Sequence, residues 1–170
     1  NTFLYPAKDL LFYHADIKGA ALTGKRMEVL KKLTEKKNRE PVTVITPADA
    51  FLDGLPSKEK LWESRIEIEA GAVIDFQKLQ EELVHLGYER ESQIEGPGQF
   101  AVRGGILDVY PLTEEIPVRI ELWGDEIDSI RSFDVESQRS VENMEQVVIY
   151  PATENVEKEE QAVSFAEYFP

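Results

Sequence analysis

The chain has 170 residues and a formal net charge of -14, from 33 acidic and 19 basic side chains. A protein that holds DNA or RNA through its phosphates normally carries a basic surplus, so this charge balance argues against nucleic-acid binding. Because 42% of the residues are hydrophobic and none is cysteine, the composition predicts a globular chain of one or two domains and excludes disulfides and thiolate metal sites.

The N-terminal part of the sequence has the alternating pattern of an α/β fold. Apolar residues predict a short strand at residues 2–5, a helix at 25–37 and a buried strand at 42–46. The predicted helix ends in a run of lysines, which suits the negative end of its dipole. We therefore expect strands and helices to alternate over residues 1–63.

A phosphate-binding loop is nearly matched just before the predicted helix. Residues 19–26 read GAALTGKR, which fits the spacing of that motif but has Arg26 where a Ser or Thr hydroxyl must bind Mg²⁺. The mixed polar segment before it is also unlike the buried strand that the motif requires. We expect a loop whose Thr23 or Gly24 caps the following helix, and no nucleotide site.

A strand and an amphipathic helix follow in the middle of the sequence. The alternating residues 65–69 predict a strand, and an apolar stripe at helical spacing predicts a helix over residues 75–86. Asp75 is the expected N-cap of this helix, and Gly87 is the expected C′ residue that ends it.

The next segments predict an antiparallel meander. The pair Gly124-Asp125 between two apolar runs is typical of a two-residue hairpin, whereas the pair Gly104-Gly105 indicates a bulge or a bend. A further strand is expected at residues 146–150. The strands of the meander are predicted at residues 99–103, 106–110, 117–123 and 126–133.

Acidic residues are concentrated in this middle region. Residues 1–63 contain 11 basic and 9 acidic side chains, residues 64–152 contain 7 and 19, and residues 153–170 contain 1 and 5. The middle region therefore carries -12 of the net charge of -14. Because the apolar pattern also changes near residue 63, we divide the chain into three regions at these boundaries.

No arrangement of residues in the sequence predicts a catalytic or metal site. His14 and His85 lie outside any metal-ligand spacing, and no serine or threonine stands in a nucleophile-elbow motif. Asp108 and Glu121 are the carboxylates that could face each other across two strands, but nothing marks a cleft around them. We therefore expect no enzyme activity and no bound metal.

The sequence also lacks a secretion or membrane signal. The first residues have no charged segment followed by an apolar one, and no apolar run approaches the roughly 18 residues of a transmembrane helix. The absence of cysteine fits a reducing compartment. We expect a cytoplasmic protein with no membrane partner, and the missing initiator Met suggests a piece of a longer chain.

A binding surface is predicted on the meander. Period-two alternation places Arg119, Glu121 and Trp123 on one face of their strand, opposite the apolar face. Arg103 points outward from a neighbouring strand, and arginine beside a large aromatic residue is typical of interaction hot spots. The alternative is that Trp123 covers the sheet edge while both arginines pair with neighbours such as Glu121.

Two long runs in the meander resemble the UvrB-homology module of bacterial transcription-repair coupling factors (Mfd). The runs are GQFAVRGGILDVYP at residues 98–111 and PVRIELWGDEIDSIR at residues 117–131. Shorter matches, VITP, GLP, LGYER and YPA, extend the resemblance over most of the chain. The excision-repair helicase UvrB shares parts of this pattern. However, Gly105-Ile106-Leu107-Asp108 resembles the coupling factors, and the segment before Arg26 is too short for UvrB's DNA-locking hairpin.

This resemblance implies an α/β architecture with two parts. Residues 1–63 would be a truncated RecA-like remnant, similar to the first domain of UvrB. Residues 64–152 would be a small α+β UvrA-interaction domain with a curved antiparallel sheet and one main helix. Residues 153–170 would begin the segment that returns to the first domain.

The resemblance also implies a non-catalytic role in nucleotide excision repair. This region would bind UvrA and so recruit it to RNA polymerase stalled at DNA damage. The family's UvrA-contacting positions fall on Arg103, Arg119 and Trp123, where Trp123 replaces a frequent Phe. The alternative is a fragment of UvrB that engages DNA or nucleotide directly.

Other partners implied by the resemblance belong to the longer parent protein. A further domain of the parent would mask the UvrA-binding face at rest, while other domains would contact RNA polymerase and DNA. The parent would use ATP and Mg²⁺ for translocation. No cofactor is expected in this chain.

Overall fold

A computed structural model describes residues 2–8, 16–35, 41–154 and 162–169. They form a mixed α/β fold with several antiparallel sheets and few helices, which confirms the predicted class at this level. The helices are α1 (Asp16–Thr34), α2 (Ala48–Phe51), α3 (Lys58–Ser64), α4 (Phe76–His85) and a 3₁₀ helix (Phe165–Tyr168). The strands are β1 (Thr2–Leu4), β2 (Thr43–Ile45), β3 (Gly54–Leu55), β4 (Ile66–Glu69), β5 (Glu89–Glu91), β6 (Gln99–Arg103), β7 (Ile106–Val109), β8 (Val118–Trp123), β9 (Glu126–Phe133), β10 (Ser140–Met144), β11 (Gln146–Ile149) and β12 (Val163–Ser164).

The first two strands form a small parallel sheet. In the register of β1 and β2, Phe3 lies opposite Val44 and Leu4 lies opposite Ile45. Phe3 and Val44 pack against a buried cluster, whereas Leu4 and Ile45 are exposed. The strand predicted at 42–46 is therefore present, but the prediction that it is buried is wrong. The described residues cover one face of this sheet and leave the other open.

Helix α1 begins earlier than predicted. Residues 19–26 lie inside the helix, so the expected loop with a capping Thr or Gly is wrong. A Cβ atom on Gly24 would come within 3.0 Å of the Leu112 carbonyl oxygen, so glycine lets the helix pack closely against that backbone. The predicted end of the helix at residue 37 lies outside the described residues.

A sheet of six strands forms the middle of the described chain, in the order β10-β9-β8-β7-β6-β5. Its pairs are antiparallel except for β5 and β6, which are parallel. Strands β6 to β9 lie within one residue of their predicted bounds and confirm the meander. Strands β5 and β10 were not predicted from the sequence, because β5 is wholly exposed and the apolar residues of β10 do not alternate regularly.

Helix α4 covers one face of this sheet, which we call the inner face. Leu79 and Leu83 of the helix are buried in a cluster with Phe100 and Ile120 of the sheet. The Asp75 carboxylate accepts a hydrogen bond from the Lys78 backbone N–H at 3.0 Å, which confirms the predicted N-cap. The opposite face of the sheet, which we call the outer face, carries the predicted arginines.

Gly87 ends α4 in the left-handed conformation, with φ of 88°. A Cβ atom at this position would lie 3.1 Å from Cγ2 of Thr153. We expect Gly87→Ala to lower the free energy of unfolding by about 1–2 kcal/mol, because a side chain is strained at this φ. Gly71→Ala is the matched control: its φ is 81°, but nothing lies near the added atom.

Denaturant melts of the two glycine variants measure these effects. Backbone strain at a positive φ should lower the free energy of unfolding of both variants. The free energy of unfolding should fall further in Gly87→Ala, because its added methyl group contacts Thr153. Equal stabilities for both variants would contradict a contribution from that contact.

A second buried cluster joins the beginning and the end of the described chain. Tyr5 stacks on Phe165 with ring centroids 4.0 Å apart, and Met27 and Leu30 of α1 lie in the same cluster. Strand β12 pairs with β3, and the hydroxyl group of Tyr168 donates a hydrogen bond to the Pro56 carbonyl at 2.7 Å. The sheet of β4 and β11 lies between the two clusters, because Val147 packs in the first and Val148 packs against the second.

Candidate partner-binding surface

Arg103, Arg119 and Trp123 all lie on the outer face of the six-stranded sheet. Residues that are paired across neighbouring strands point to the same side of a sheet. Arg103 is paired with Ile106, Ile106 with Glu121, and Asp108 with Arg119. Trp123 is the last residue of β8, two positions beyond Glu121. The structure therefore brings the two arginines together and places the tryptophan at the edge of the same surface.

Asp108 holds both arginines. Its carboxylate accepts hydrogen bonds from Nε and Nη2 of Arg119 at 2.7 and 2.9 Å, and from Nη2 of Arg103 at 2.8 Å. The Asp108 side chain is buried, so these charge-assisted bonds compensate for the loss of water around its charge. We call Arg103, Asp108 and Arg119 the arginine clamp.

Arg119 is the more enclosed arginine, with 15% of its side chain exposed. Its guanidinium carbon lies 4.3 Å from the ring centroid of Phe133, and Nη2 also donates to Oε1 of Gln138 at 2.9 Å. Gln138 has a positive φ of 58° and donates its own side-chain N–H to the Val135 carbonyl. The hydrogen bond to Asp108 raises the pKa of Arg119 above its ordinary value, so the group stays charged.

Arg103 is the more accessible arginine, with 48% of its side chain exposed. It directly precedes Gly104 and Gly105, which form a two-residue turn between β6 and β7. The predicted bend is therefore a tight hairpin turn, with Gly104 at a φ of 61°. A Cβ atom on Gly105 would lie 3.0 Å from the Leu122 carbonyl oxygen, so β8 also requires a glycine there.

Trp123 projects into solvent, with 85% of its surface exposed. It pairs with Glu126 across the Gly124-Asp125 turn, which confirms the predicted hairpin. The alternative in which Trp123 covers the sheet edge is therefore wrong. Such a large exposed aromatic side chain on an ordered strand is a feature of protein-binding surfaces.

The acidic neighbours are arranged differently from the prediction. Asp108 is opposite Arg119 and not opposite Glu121, and Glu121 forms an ion pair with Arg131 of β9. Both arginines do pair with a neighbour, as the alternative held, but that neighbour is Asp108. The register between β7 and β8 decides which acidic side chain lies opposite Arg119.

Neither clustered metal ligands nor a membrane-spanning helix is found among the described residues. Among them, no group of three or more potential metal ligands is found. No described helix is both long enough and apolar enough to span a bilayer. His85 is exposed on α4, beside a cavity of about 530 Å³ between α3 and α4, whereas His14 lies outside the described residues. The arginine clamp is thus a surface feature and not the lining of this cavity.

A model of the UvrB interaction domain matches residues 66–155, which include the whole arginine clamp and Trp123. The chain belongs to the UvrB interaction domain family. Its relatives include three proteins named transcription-repair-coupling factor. The protein from Bacillus subtilis (strain 168) is 39% identical over 161 residues, that from Staphylococcus aureus (strain bovine RF122 / ET3-1) is 37% identical over 158, and that from Staphylococcus haemolyticus (strain JCSC1435) is 37% identical over 156.

These matches confirm the resemblance to transcription-repair coupling factors. They cover 95%, 93% and 92% of this chain, respectively, and 13% of each relative. The chain therefore spans a small part of the length of these relatives. As their names state, these relatives are factors that couple transcription to DNA repair.

Proposed function

We propose that this chain is the non-catalytic region of a transcription-repair coupling factor that binds UvrA and recruits it to RNA polymerase stalled at DNA damage. The observation that carries this proposal is the outer face of the sheet. There a half-exposed Arg103 is fixed by Asp108 on the same surface as a solvent-exposed Trp123. Arginine and tryptophan are the residue types most enriched in interaction hot spots.

The arginine clamp supports a division of roles within this surface. Arg119 directs Nε and Nη2 toward Asp108 and Gln138 and rests on Phe133, so it mainly holds the clamp. Arg103 and Trp123 present the accessible charge and the accessible aromatic ring. A fixed guanidinium group loses little conformational entropy when a partner binds, which favours affinity.

Charge should contribute to the specificity and rate of this interaction more than to its strength. Arg103 is a basic group on a region that carries -12 of the net charge, so it selects an acidic group on UvrA. Exposed charges are screened at high ionic strength. Binding should therefore weaken as salt concentration rises.

The domain boundaries and the RecA-like assignment belong to the same proposal. Residues 64–152 would form the UvrA-interaction domain, and residues 1–63 with the returning segment 153–170 would form a partial RecA-like domain. Two observations support this division: the buried residues fall into two main clusters, and Phe165 of the last region packs on Tyr5 of the first. The parallel pair of β1 and β2 fits a RecA-like sheet.

The remaining partners would be provided by the longer protein. We assign contacts with RNA polymerase and DNA, and the use of ATP and Mg²⁺, to its other domains. One of these domains would mask the outer face until UvrA is needed. This chain itself would act without a cofactor, in the cytoplasm.

Exchange of Arg103 for glutamate tests the proposed function. We expect Arg103→Glu to abolish capture of the chain by immobilised UvrA, because it reverses the accessible charge of the clamp. Trp123→Ala should weaken capture by at least about thirtyfold, since loss of a hot spot typically costs 2 kcal/mol or more. A titration of the purified chain against UvrA, read by surface plasmon resonance, measures both effects.

Arg90→Glu provides a matched control for this charge reversal. Arg90 is an exposed arginine on β5, at the edge of the same sheet, where it is paired with Phe100 of the inner face. The substitution Arg90→Glu changes the net charge by the same amount as Arg103→Glu, but Arg90 lies away from the arginine clamp. Wild-type affinity in Arg103→Glu and Trp123→Ala would contradict the proposed surface.

A further inference from the structure

Val73 is a second apolar side chain that the fold holds in solvent, with 76% of its surface exposed. The segment around it is fixed to β9 by backbone hydrogen bonds, from Ile74 N–H to the Asp125 carbonyl at 2.8 Å and from Ile127 N–H to the Ala72 carbonyl at 2.9 Å. Ala72 and Ile74 pack against the core beneath. These contacts hold the backbone on both sides of Val73 and direct its side chain into solvent.

Val73 lies in the same row as Trp123. Glu126 of β9 is paired with Trp123 on one side and with Val73 on the other. Directly paired residues point to the same face, so all three side chains lie on the outer face. Two strand spacings separate Trp123 from Val73, which is on the order of 10 Å. A single partner surface can contact both side chains.

This row differs in charge from the arginine clamp. Glu126 stands between the two apolar side chains, and Asp125 lies in the adjoining turn. Arg103 provides an accessible positive charge near the other end of the same surface. A partner that matched the whole surface would need an acidic group opposite Arg103 and a basic group opposite Glu126. Such an arrangement fixes the orientation of a partner.

We infer that the UvrA-binding surface continues from Trp123 across Glu126 to Val73. This inference rests on the proposed function, because the row adjoins the surface assigned to UvrA and faces the same side. UvrA would cover Trp123 and Val73 with an apolar patch and place a basic side chain over Glu126. The backbone that carries both side chains is already held by strand pairing, so binding would not have to order it.

The substitution Val73→Ser tests the apolar part of this surface. We expect the affinity of the chain for purified UvrA to fall by at least about fivefold, which corresponds to loss of an interface residue of moderate strength. The matched control is Val84→Ser. Val84 is 57% exposed on α4, the helix that covers the inner face, so it lies on the opposite side of the domain. Its replacement should change the affinity by less than about twofold.

The substitution Glu126→Lys tests the charge arrangement. We expect at least about a fivefold loss of affinity for UvrA, because the basic group of the partner would then face a lysine. Glu81→Lys on α4 makes the same change of net charge on the opposite side and should retain the affinity of the unaltered chain. Circular dichroism of each variant, with its thermal midpoint, separates binding effects from unfolding.

The outcomes distinguish this inference from the proposed function. If the unaltered chain binds UvrA and Trp123→Ala does not, but Val73→Ser binds as tightly as the unaltered chain, the extended surface is wrong and the proposed function stands. Equal losses in Val73→Ser and Val84→Ser would also overturn it, as would unchanged binding by Glu126→Lys. If the unaltered chain fails to bind UvrA, the inference and the proposed function both fail.

Discussion

Replacement of Arg26 by leucine is expected to lower the free energy of unfolding by about 3–5 kcal/mol. Arg26 is buried, and its Nε lies 2.7 Å from Oε1 of Glu154 while its Nη2 lies 2.9 Å from Oδ2 of Asp53. Its Nη1 donates to the Pro6 carbonyl at 2.6 Å. Without Arg26, the buried carboxylate of Glu154 would face the more exposed Lys8 and little water.

The physical basis of this effect is the loss of the buried cation beside Glu154, which leaves that buried carboxylate with the more exposed Lys8. Arg26 also lies over the Tyr5 ring, with its guanidinium carbon 4.2 Å from the ring centroid, so both charge and packing are lost on substitution. Burial and the nearby Glu154 raise the pKa of Tyr5, which keeps its hydroxyl group protonated. Arg26 is therefore the buried cation of this cluster, beside the more exposed Lys8.

Urea melts of Arg26→Leu and Lys25→Leu measure the contribution of the buried ion pair. Lys25 is an exposed neighbour on α1, so its replacement should change the free energy of unfolding by about 0.5 kcal/mol or less. The double variant Arg26→Leu with Glu154→Leu should recover much of the lost stability, because an apolar pair can replace a buried ion pair. A loss below about 1 kcal/mol in Arg26→Leu would contradict this role.

Arg119→Glu is expected to lower the free energy of unfolding by about 3–5 kcal/mol, because it places a second carboxylate beside the buried Asp108. The new side chain would also leave Gln138 and the Phe133 ring without the guanidinium group that contacts them. Arg103→Glu should have a much smaller effect, of about 1 kcal/mol or less, since its half-exposed side chain can turn into solvent.

The two reversals therefore separate the roles of the arginines. Thermal and denaturant unfolding of both variants gives the difference in stability, and UvrA binding gives the difference in function. If Arg119→Glu folds as stably as Arg103→Glu, Asp108 does not hold the clamp, and Arg119 is free to act as a contact residue. A marginally stable domain can lose its fold entirely from a change of the expected size.

Sharing of one carboxylate by two arginines also determines the charge of the outer face. Asp108 neutralises about one of the two positive charges, and Glu121 is occupied by Arg131. The accessible positive charge is therefore centred on Arg103. The apolar Ile106 of β7 is paired directly opposite it. A discrete charge beside apolar surface suits a protein partner better than a polyanion, which would require a longer basic stripe.

Local patterns in the sequence determined much of the middle region. Helix α4 follows from its apolar stripe with Asp75 before it and Gly87 after it, and the structure shows both caps. The meander strands follow from alternation and turn residues, and the outward directions of Arg103 and Trp123 follow from the same period of two. These features depend on residues within a few positions of each other, so a single sequence contains the information.

The tertiary structure decided which side chains meet. The pairing of β7 with β8 brings Asp108 opposite Arg119, whereas the sequence pattern suggested Glu121 as the partner of the arginines. A strict hairpin alignment at the Gly104-Gly105 turn would have placed Asp108 on the face of Arg103, but it leaves the register of β8 open. The exposure of Val73 was not predicted either. It depends on hydrogen bonds that join Ala72 and Ile74 to a segment about fifty residues later in the chain, which a local pattern does not contain.

Long-range contacts account for the remaining differences. Gly24 was predicted to lie in a loop, but it lies inside a helix that approaches the backbone of Leu112. Arg26 was considered as part of a phosphate-binding motif, but it forms an ion pair with Glu154, far along the chain. The sequence by itself determined α4, the strands β6 to β9, the family and the outward-facing residues. Only the tertiary structure decided the partners of the buried charges, because a charge excluded from water is stabilised by whichever opposite charge the fold brings to it.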